Sequence, residues 1–231
     1  FLIITITKDN GLSFRNFEDI KLISKQSDVE GDMKIGKITV DAGNSEKSLK
    51  INSDRNTVFN LIDLYGHKVN VQKNGEGSIV ASTVNVQQAC ESVLKDINIT
   101  DNLNLLQGST VSFENVDFHD AKINIYNFES EDPEKPLMNF VKKITEQPSK
   151  ISIFKSEEGR VLEDDNIVLI KQPDSIFSEE QCTEWANKIK DGDYNQKQCI
   201  PPDAKDNNRK LVVKRESDDK GSKKDKLSAG A

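Results

Sequence analysis

Leu103-Asn104-Leu105-Leu106-Gln107-Gly108-Ser109-Thr110-Val111-Ser112-Phe113-Glu114-Asn115-Val116-Asp117-Phe118-His119-Asp120-Ala121-Lys122-Ile123-Asn124-Ile125-Tyr126-Asn127-Phe128 carries its apolar residues in pairs: Leu103/Leu105, Val111/Phe113, Val116/Phe118 and Ile123/Ile125. The spacing of two within each pair is that of a half-buried β-strand, whose side chains alternate between faces. Between pairs the register slips by a residue or two, as at Glu114-Asn115. A chain turning a corner between flat faces requires such slips. Asn suits the corner because its side chain bonds nearby backbone and it tolerates left-handed φ. A faint internal repeat agrees: Leu12-Ser13-Phe14-Arg15-Asn16-Phe17 echoes Val111-Ser112-Phe113-Glu114-Asn115-Val116.

Working outward, the same alternation appears at Ile4/Ile6, Ile38/Val40, Leu49/Ile51, Val69/Val71, Val84/Val86 and Ile97/Ile99. The intervening turns are rich in Asn, Asp, Ser and Gly, so residues 1–130 read as mainly β. Two architectures accommodate many short strands: a parallel β-helix, or solenoid, and an antiparallel β-sandwich. The pairing of apolar positions favours the solenoid. Asn74-Gly75-Glu76-Gly77, between Val69–Gln72 and Ser78–Ala81, has the chemistry of a hairpin turn and favours the sandwich.

After Phe128 the pattern changes. Leu137, Phe140, Val141 and Ile144 fall at helical spacing, predicting a short helix over 136–146 that Pro148 stops. Ile151–Lys155 and Ile167–Lys171 read as two strands of a hairpin whose tip is the acidic turn from Glu157 to Asn166. The expected unit over 131–177 is a helix plus a β-hairpin cap. Ser178-Glu179-Glu180-Gln181 is a capping box, with Phe177 placed to staple onto Cys182, and it predicts a helix over 178–190 ended by Asp191-Gly192. Residues 178–200 are expected to form a helical module holding the single Trp. Residues 201–231 are expected to be a disordered stalk or linker with one short strand at 210–214, because Leu211-Val212-Val213 is their only apolar cluster.

The chain has 231 residues, 35% hydrophobic and 31% charged, with a net charge of −7. Residues 201–231 hold nine Lys+Arg against six Asp+Glu, which leaves −10 on residues 1–200. An acidic body without a basic groove or an aromatic stacking platform argues against nucleic acid as a partner.

Three cysteines lack CxxC or Cys/His spacing, so no zinc site is expected. Cys182 and Cys199 bracket the helical module and are candidates for a disulfide, while Cys90 reads as a core thiol. Asn98-Ile99-Thr100 is the sole N-glycosylation sequon. Because Ile97 and Ile99 would face inward, Asn98 would face out. The same alternation puts Asp117 and His119 together on the solvent side, a weak candidate ligand or metal pair with no third group to complete it. His67, in Tyr65-Gly66-His67-Lys68, reads as a turn residue. The acidic turn lacks the alternating spacing of a calcium loop and reads as a solvated hairpin tip. No GxSxG, GxGxxG, Walker or HExxH motif occurs, and no residue set calls for a cofactor.

Asp218-Asp219-Lys220-Gly221-Ser222-Lys223-Lys224-Asp225-Lys226-Leu227-Ser228-Ala229-Gly230-Ala231 resembles the juxtamembrane end of single-span surface proteins of unicellular eukaryotes. There, a Lys/Ser-rich stalk runs into small residues that begin a membrane helix. Their ectodomain is often a β-solenoid of the polymorphic-membrane-protein kind. Lysines on the outer side of such a helix run against the positive-inside arrangement. The resemblance implies a juxtamembrane fragment of a longer chain, on the extracellular face of the plasma membrane, with a membrane anchor beyond Ala231. Together these observations lead to an expected non-enzymatic domain for surface display, adhesion or ligand binding, its partner a host or neighbouring-cell surface protein or carbohydrate. The alternative is a carbohydrate-active β-helix enzyme similar to pectate lyase, which would need carboxylates and a basic group gathered in one groove. An intracellular scaffold, with all three thiols free, is a third possibility.

Overall fold

A computed structural model describes residues 2–6, 11–15, 19–24, 32–53, 55–128, 134–155 and 166–215. The strands are β1 (Leu2–Ile6), β2 (Gly11–Arg15), β3 (Asp19–Ser24), β4 (Met33–Asp41), β5 (Glu46–Asn52), β6 (Thr57–Tyr65), β7 (Lys68–Lys73), β8 (Ile79–Val86) and β9 (Glu91–Leu105). They continue through β10 (Thr110–Phe118), β11 (Lys122–Phe128), β12 (Met138–Phe140), β13 (Lys150–Lys155) and β14 (Asn166–Pro173). Helix α1 (Glu179–Lys188) follows, then β15 (Ile189–Gly192), β16 (Gln196–Ile200) and β17 (Asn208–Lys214).

From β1 to β13 every pairing is parallel and joins stretches one coil apart; most strands therefore pair with the strand two along in sequence, while β9, which runs through a corner, also pairs with β8 and β10. The protein is a parallel β-solenoid, and the antiparallel sandwich is excluded. Each full coil has three faces. The first is formed by β5, β7 and the start of β9 and β10; the second by short pieces such as Ile97–Ile99 on Val116–Phe118. The third is formed by the ends of β4, β6, β8 and β9, then by β11 and β13.

Alternation sends one set of side chains inward, and parallel register stacks like on like. Ile38, Ile62, Val84, Leu103, Ile123 and Ile151 form one interior line, and each is fully buried. The corner residues Asp96 and Asn115 have φ of 57° and 55°, and Asn115 Nδ2 donates to Asp96 Oδ1 at 2.7 Å. The slip at Glu114-Asn115 is thus a corner, as its sequence indicates.

Another corner recurs in four successive coils, with left-handed residues Gly43, Gly66, Ala89 and Gly108. Asn74-Gly75-Glu76-Gly77 is a third corner, not a hairpin: β7 pairs with β5 and β9, and β8 with β6 and β9. Its glycines are required by close stacking. The Gly77 amide donates to the Ser53 carbonyl at 2.9 Å, and a methyl on Gly77 would collide with the Arg55 backbone. Gly77→Ala is therefore expected to destabilise by about 1–3 kcal/mol, the range for overpacking a rigid site. A chemical-denaturation difference below about 0.5 kcal/mol would contradict this account.

Three expectations fail beyond Phe128. No helix forms over 136–146: Met138–Phe140 is a strand on Val111–Phe113, and Val141 is 53% exposed. The waiting edge of β10 offers ladder hydrogen bonds and an interior slot for Met138 and Phe140. A stretch of helical spacing this short cannot outweigh that, because short helices are marginal alone. β13 and β14 also form no hairpin, since β13 stacks on β11 and β14 on β12, so they lie on different faces of the coil. The acidic turn between them lies mostly outside the described residues. Finally, residues 201–215 belong to the fold: β17 pairs antiparallel with both β14 and β16, burying Leu211, Val212 and Val213. The short strand expected at 210–214 thus forms, as β17, while the disordered linker expected around it is replaced, up to Arg215, by ordered chain.

The helical module forms as its capping box indicates. The Gln181 amide donates to Ser178 Oγ at 3.2 Å, and the Ser178 amide donates to Gln181 Oε1 at 3.0 Å. The helix ends at Lys188, short of Asp191-Gly192, because Ile189 turns extended and joins β15 opposite Ile151 on β13. Trp185 is buried with its ring 5.1 Å from that of Phe140.

Candidate functional site

Cys182, in the first turn of α1, is bonded to Cys199 on β16, with their Cα atoms 6.1 Å apart. The bridge ties the capping helix to the antiparallel strands at the end of the solenoid. Cys90 is a buried free thiol, and burial pushes its pKa up to about 12, with Glu91 adding to the effect. The raised folded-state value means the protonated thiol's contribution is complete below the unfolded value near 9 and is lost as pH rises through 12. Alkylation at pH 8 is expected to label Cys90 only after unfolding; rapid labelling of the native protein would refute its burial.

Asn98 stands on the outer side of β9, with Ile97 and Ile99 buried beneath it as alternation requires. It is partly exposed, with Val80 and Asp117 as its lateral neighbours. Asp117, on β10, and His119, just beyond its end, do both stand on the outer side, but each is engaged by Glu146 on the following coil. The Glu146 amide donates to Asp117 Oδ1 at 3.4 Å, and His119 Nδ1 lies 2.7 Å from Glu146 Oε2. His119 and Glu146 are both about half exposed, so the contact contributes little. Among the described residues no group of three His, Cys, Asp or Glu side chains is placed to hold a metal ion. Asp117→Ala and His119→Ala are expected to change stability by about 0.5 kcal/mol or less, as measured by urea unfolding. His67 is an exposed corner residue whose amide donates to the Gly43 carbonyl at 2.8 Å.

The most organised outer surface is the third face. In the triplets Val84-Asn85-Val86, Leu103-Asn104-Leu105 and Ile123-Asn124-Ile125 the aliphatics are buried and the Asn faces out. Register aligns Asp63, Asn85, Asn104 and Asn124 in one row. Asn104 Nδ2 donates to Asn85 Oδ1 at 2.8 Å, and Asn124 Nδ2 donates to Asn104 and Asn102 at 3.0 and 3.1 Å. Asp63 accepts from Gln87 Nε2 at 2.6 Å and faces Lys37 at 3.7 Å. A second row follows two residues later along the chain, on the same face: Tyr65, Gln87, Leu106, Tyr126 and Phe154. The Tyr126 and Phe154 rings stack at 5.3 Å. Tyr65 and Tyr126 are two of only three large apolar side chains exposed among the described residues. Partial burial, together with the charge and hydrogen bond of Asp63, raises the Tyr65 phenol above its usual range.

Sequence reasoning passed over this face, although its signal was present as an apolar-Asn-apolar triplet recurring at 84, 103 and 123. Amide and aromatic rows of this kind can bind through hydrogen bonds and apolar contact, without acid or base chemistry. Compared with protein-family models, curated proteins and solved structures, the chain matches none.

Proposed function

We propose that this protein is a non-enzymatic extracellular domain for surface display, adhesion or ligand binding, tethered to a membrane. Its partner is a surface protein or carbohydrate of a host or neighbouring cell. The observation that carries this reading is the third face, where exposed Tyr65 and Tyr126 edge a row of aligned amides on a rigid sheet. The Cys182–Cys199 bridge supports an oxidising compartment, in which such bonds persist. Asn98, partly exposed on the second face, is the position where such a compartment would attach a glycan.

Antibody staining of intact, unpermeabilised cells tests the location. Surface label removed by external protease is expected, together with a mobility shift of the protein on deglycosylation that Asn98→Gln abolishes. Label seen only after permeabilisation, with all three thiols free, would overturn the proposal in favour of an intracellular scaffold. Release of reducing ends from a polysaccharide, lost in Asp117→Ala, would replace it with the enzyme.

A further inference from the structure

The ligand class of the third face follows from its chemistry, and this inference rests on the binding role proposed above. We infer that the rows Asn85-Asn104-Asn124 and Gln87-Leu106-Tyr126-Phe154 form a binding strip for an uncharged saccharide chain lying along the solenoid axis.

Three observations carry this. First, the strip has no formal charge: one row is Asn85, Asn104 and Asn124, and the other is Gln87, Leu106, Tyr126 and Phe154. Within these two rows a cationic ligand finds no carboxylate and an anionic one no cation; the bordering charges are Asp63, paired with Lys37 beside Asn85, and Lys122 beside Asn102. The chain's net charge of −7 repels anions further.

Second, the amides are held in place and still have capacity. An Asn amide has two N–H donors and a carbonyl with two lone pairs. The ladder uses both Asn124 donors and one Asn104 donor, leaving Asn85, Asn102 and Asn104 with donors it does not engage. Hydroxyl groups, which both donate and accept, are the natural complement to such a set. The ladder alone explains why the asparagines are aligned. It does not explain why Tyr126, stacked on Phe154 beside them, is 37% exposed.

Third, the rows repeat at the strand spacing, so Gln87 and Phe154 are three steps or about 14 Å apart. That length suits several units of a chain rather than one small molecule. The C–H faces of its rings would pack on Leu106, Tyr126 and Phe154 while its hydroxyls meet the amide row.

Calorimetric titration of the disulfide-intact protein with neutral oligosaccharides of glucose, mannose and N-acetylglucosamine tests the inference, with polygalacturonate and heparin as anionic comparators. At least one neutral series is expected to bind, with affinity rising with chain length. Tyr126→Ala is expected to weaken that binding roughly tenfold. Tyr126→Phe should retain it, as should Val141→Ala, which removes an exposed apolar side chain elsewhere. Thermal melts confirm folding of each variant, and because Tyr126 is on the surface its truncation leaves the core intact. Absence of neutral binding at millimolar concentrations, preference for the anionic chains, or unchanged binding by Tyr126→Ala would each overturn the assignment. If the domain attaches to cells in a way that neutral saccharides do not compete, the ligand class falls while the display role stands. Exclusively intracellular location removes the display role, and the titration still decides the ligand.

Discussion

Phe113→Ala is expected to destabilise the protein by about 3–5 kcal/mol, the range for deleting a buried aromatic that its surroundings cannot refill. Phe113 is 1% exposed and lies in register with Leu94 on one side and Phe140 on the other. Its ring meets Phe118 edge-on at 5.4 Å and Phe140 at 5.9 Å. Phe140 in turn contacts Trp185 at 5.1 Å and Phe177 at 6.3 Å. The mutation thus opens a cavity where the solenoid interior joins the C-terminal helical cap. Coils on both sides are held by hydrogen-bonded ladders, which limits their collapse into that cavity. Urea unfolding monitored by Trp185 fluorescence reads the change from the cap side and circular dichroism reads it from the strands. A loss below about 1 kcal/mol would show that this aromatic cluster does not couple the two.

Removing the Cys182–Cys199 bridge is expected to cost about 3 kcal/mol, the scale for a closed loop of this size. The sequence separation is 17, and the loop contains most of α1, all of β15 and the start of β16. A ten-residue helix is marginal in isolation, and its capping box supplies only part of what it needs. The rest comes from burial of Trp185 and Cys182 and from the covalent tie to β16. Guanidinium unfolding of the oxidised protein, the reduced protein and the Cys182→Ser/Cys199→Ser double variant should place the last two together, well below the first. If reduction changes stability by less than about 0.5 kcal/mol, packing alone holds the cap. A mass shift showing three free thiols in protein isolated without reductant would remove the bridge itself.

The solenoid was legible because its strands are decided locally. Val111/Phe113 and Ile123/Ile125 alternate whatever their partners are, and the slip at Glu114-Asn115 announces a corner that Asn115 fills at φ 55°. The capping box of α1 was legible for the same reason, since Ser178 and Gln181 satisfy each other within one turn. The candidate binding face was half legible. Each Asn between two aliphatics could be assigned outward, but Asn85, Asn104 and Asn124 form a row only because coils of unequal length bring them into register.

What the sequence by itself determined is the mainly β character, the inward and outward sets of side chains, the corners rich in Asn and Gly, and the helix beginning at Ser178. Each follows from the stereochemistry and polarity of neighbouring residues. What only the tertiary structure decided is which edge each strand meets. Leu137 to Ile144 had a helical stripe, yet Met138–Phe140 became a strand because β10 presented unpaired backbone and an interior slot. Asn74-Gly75-Glu76-Gly77 could have closed a hairpin, but β7 and β8 each found parallel partners on neighbouring coils. Asn208–Lys214 sits in a polar, proline-bearing tail that could not bury itself, and β14 and β16 supplied the missing surface. In all three places the hydrogen bonds and burial that settled the outcome came from residues distant in the chain, whose contribution no local pattern records.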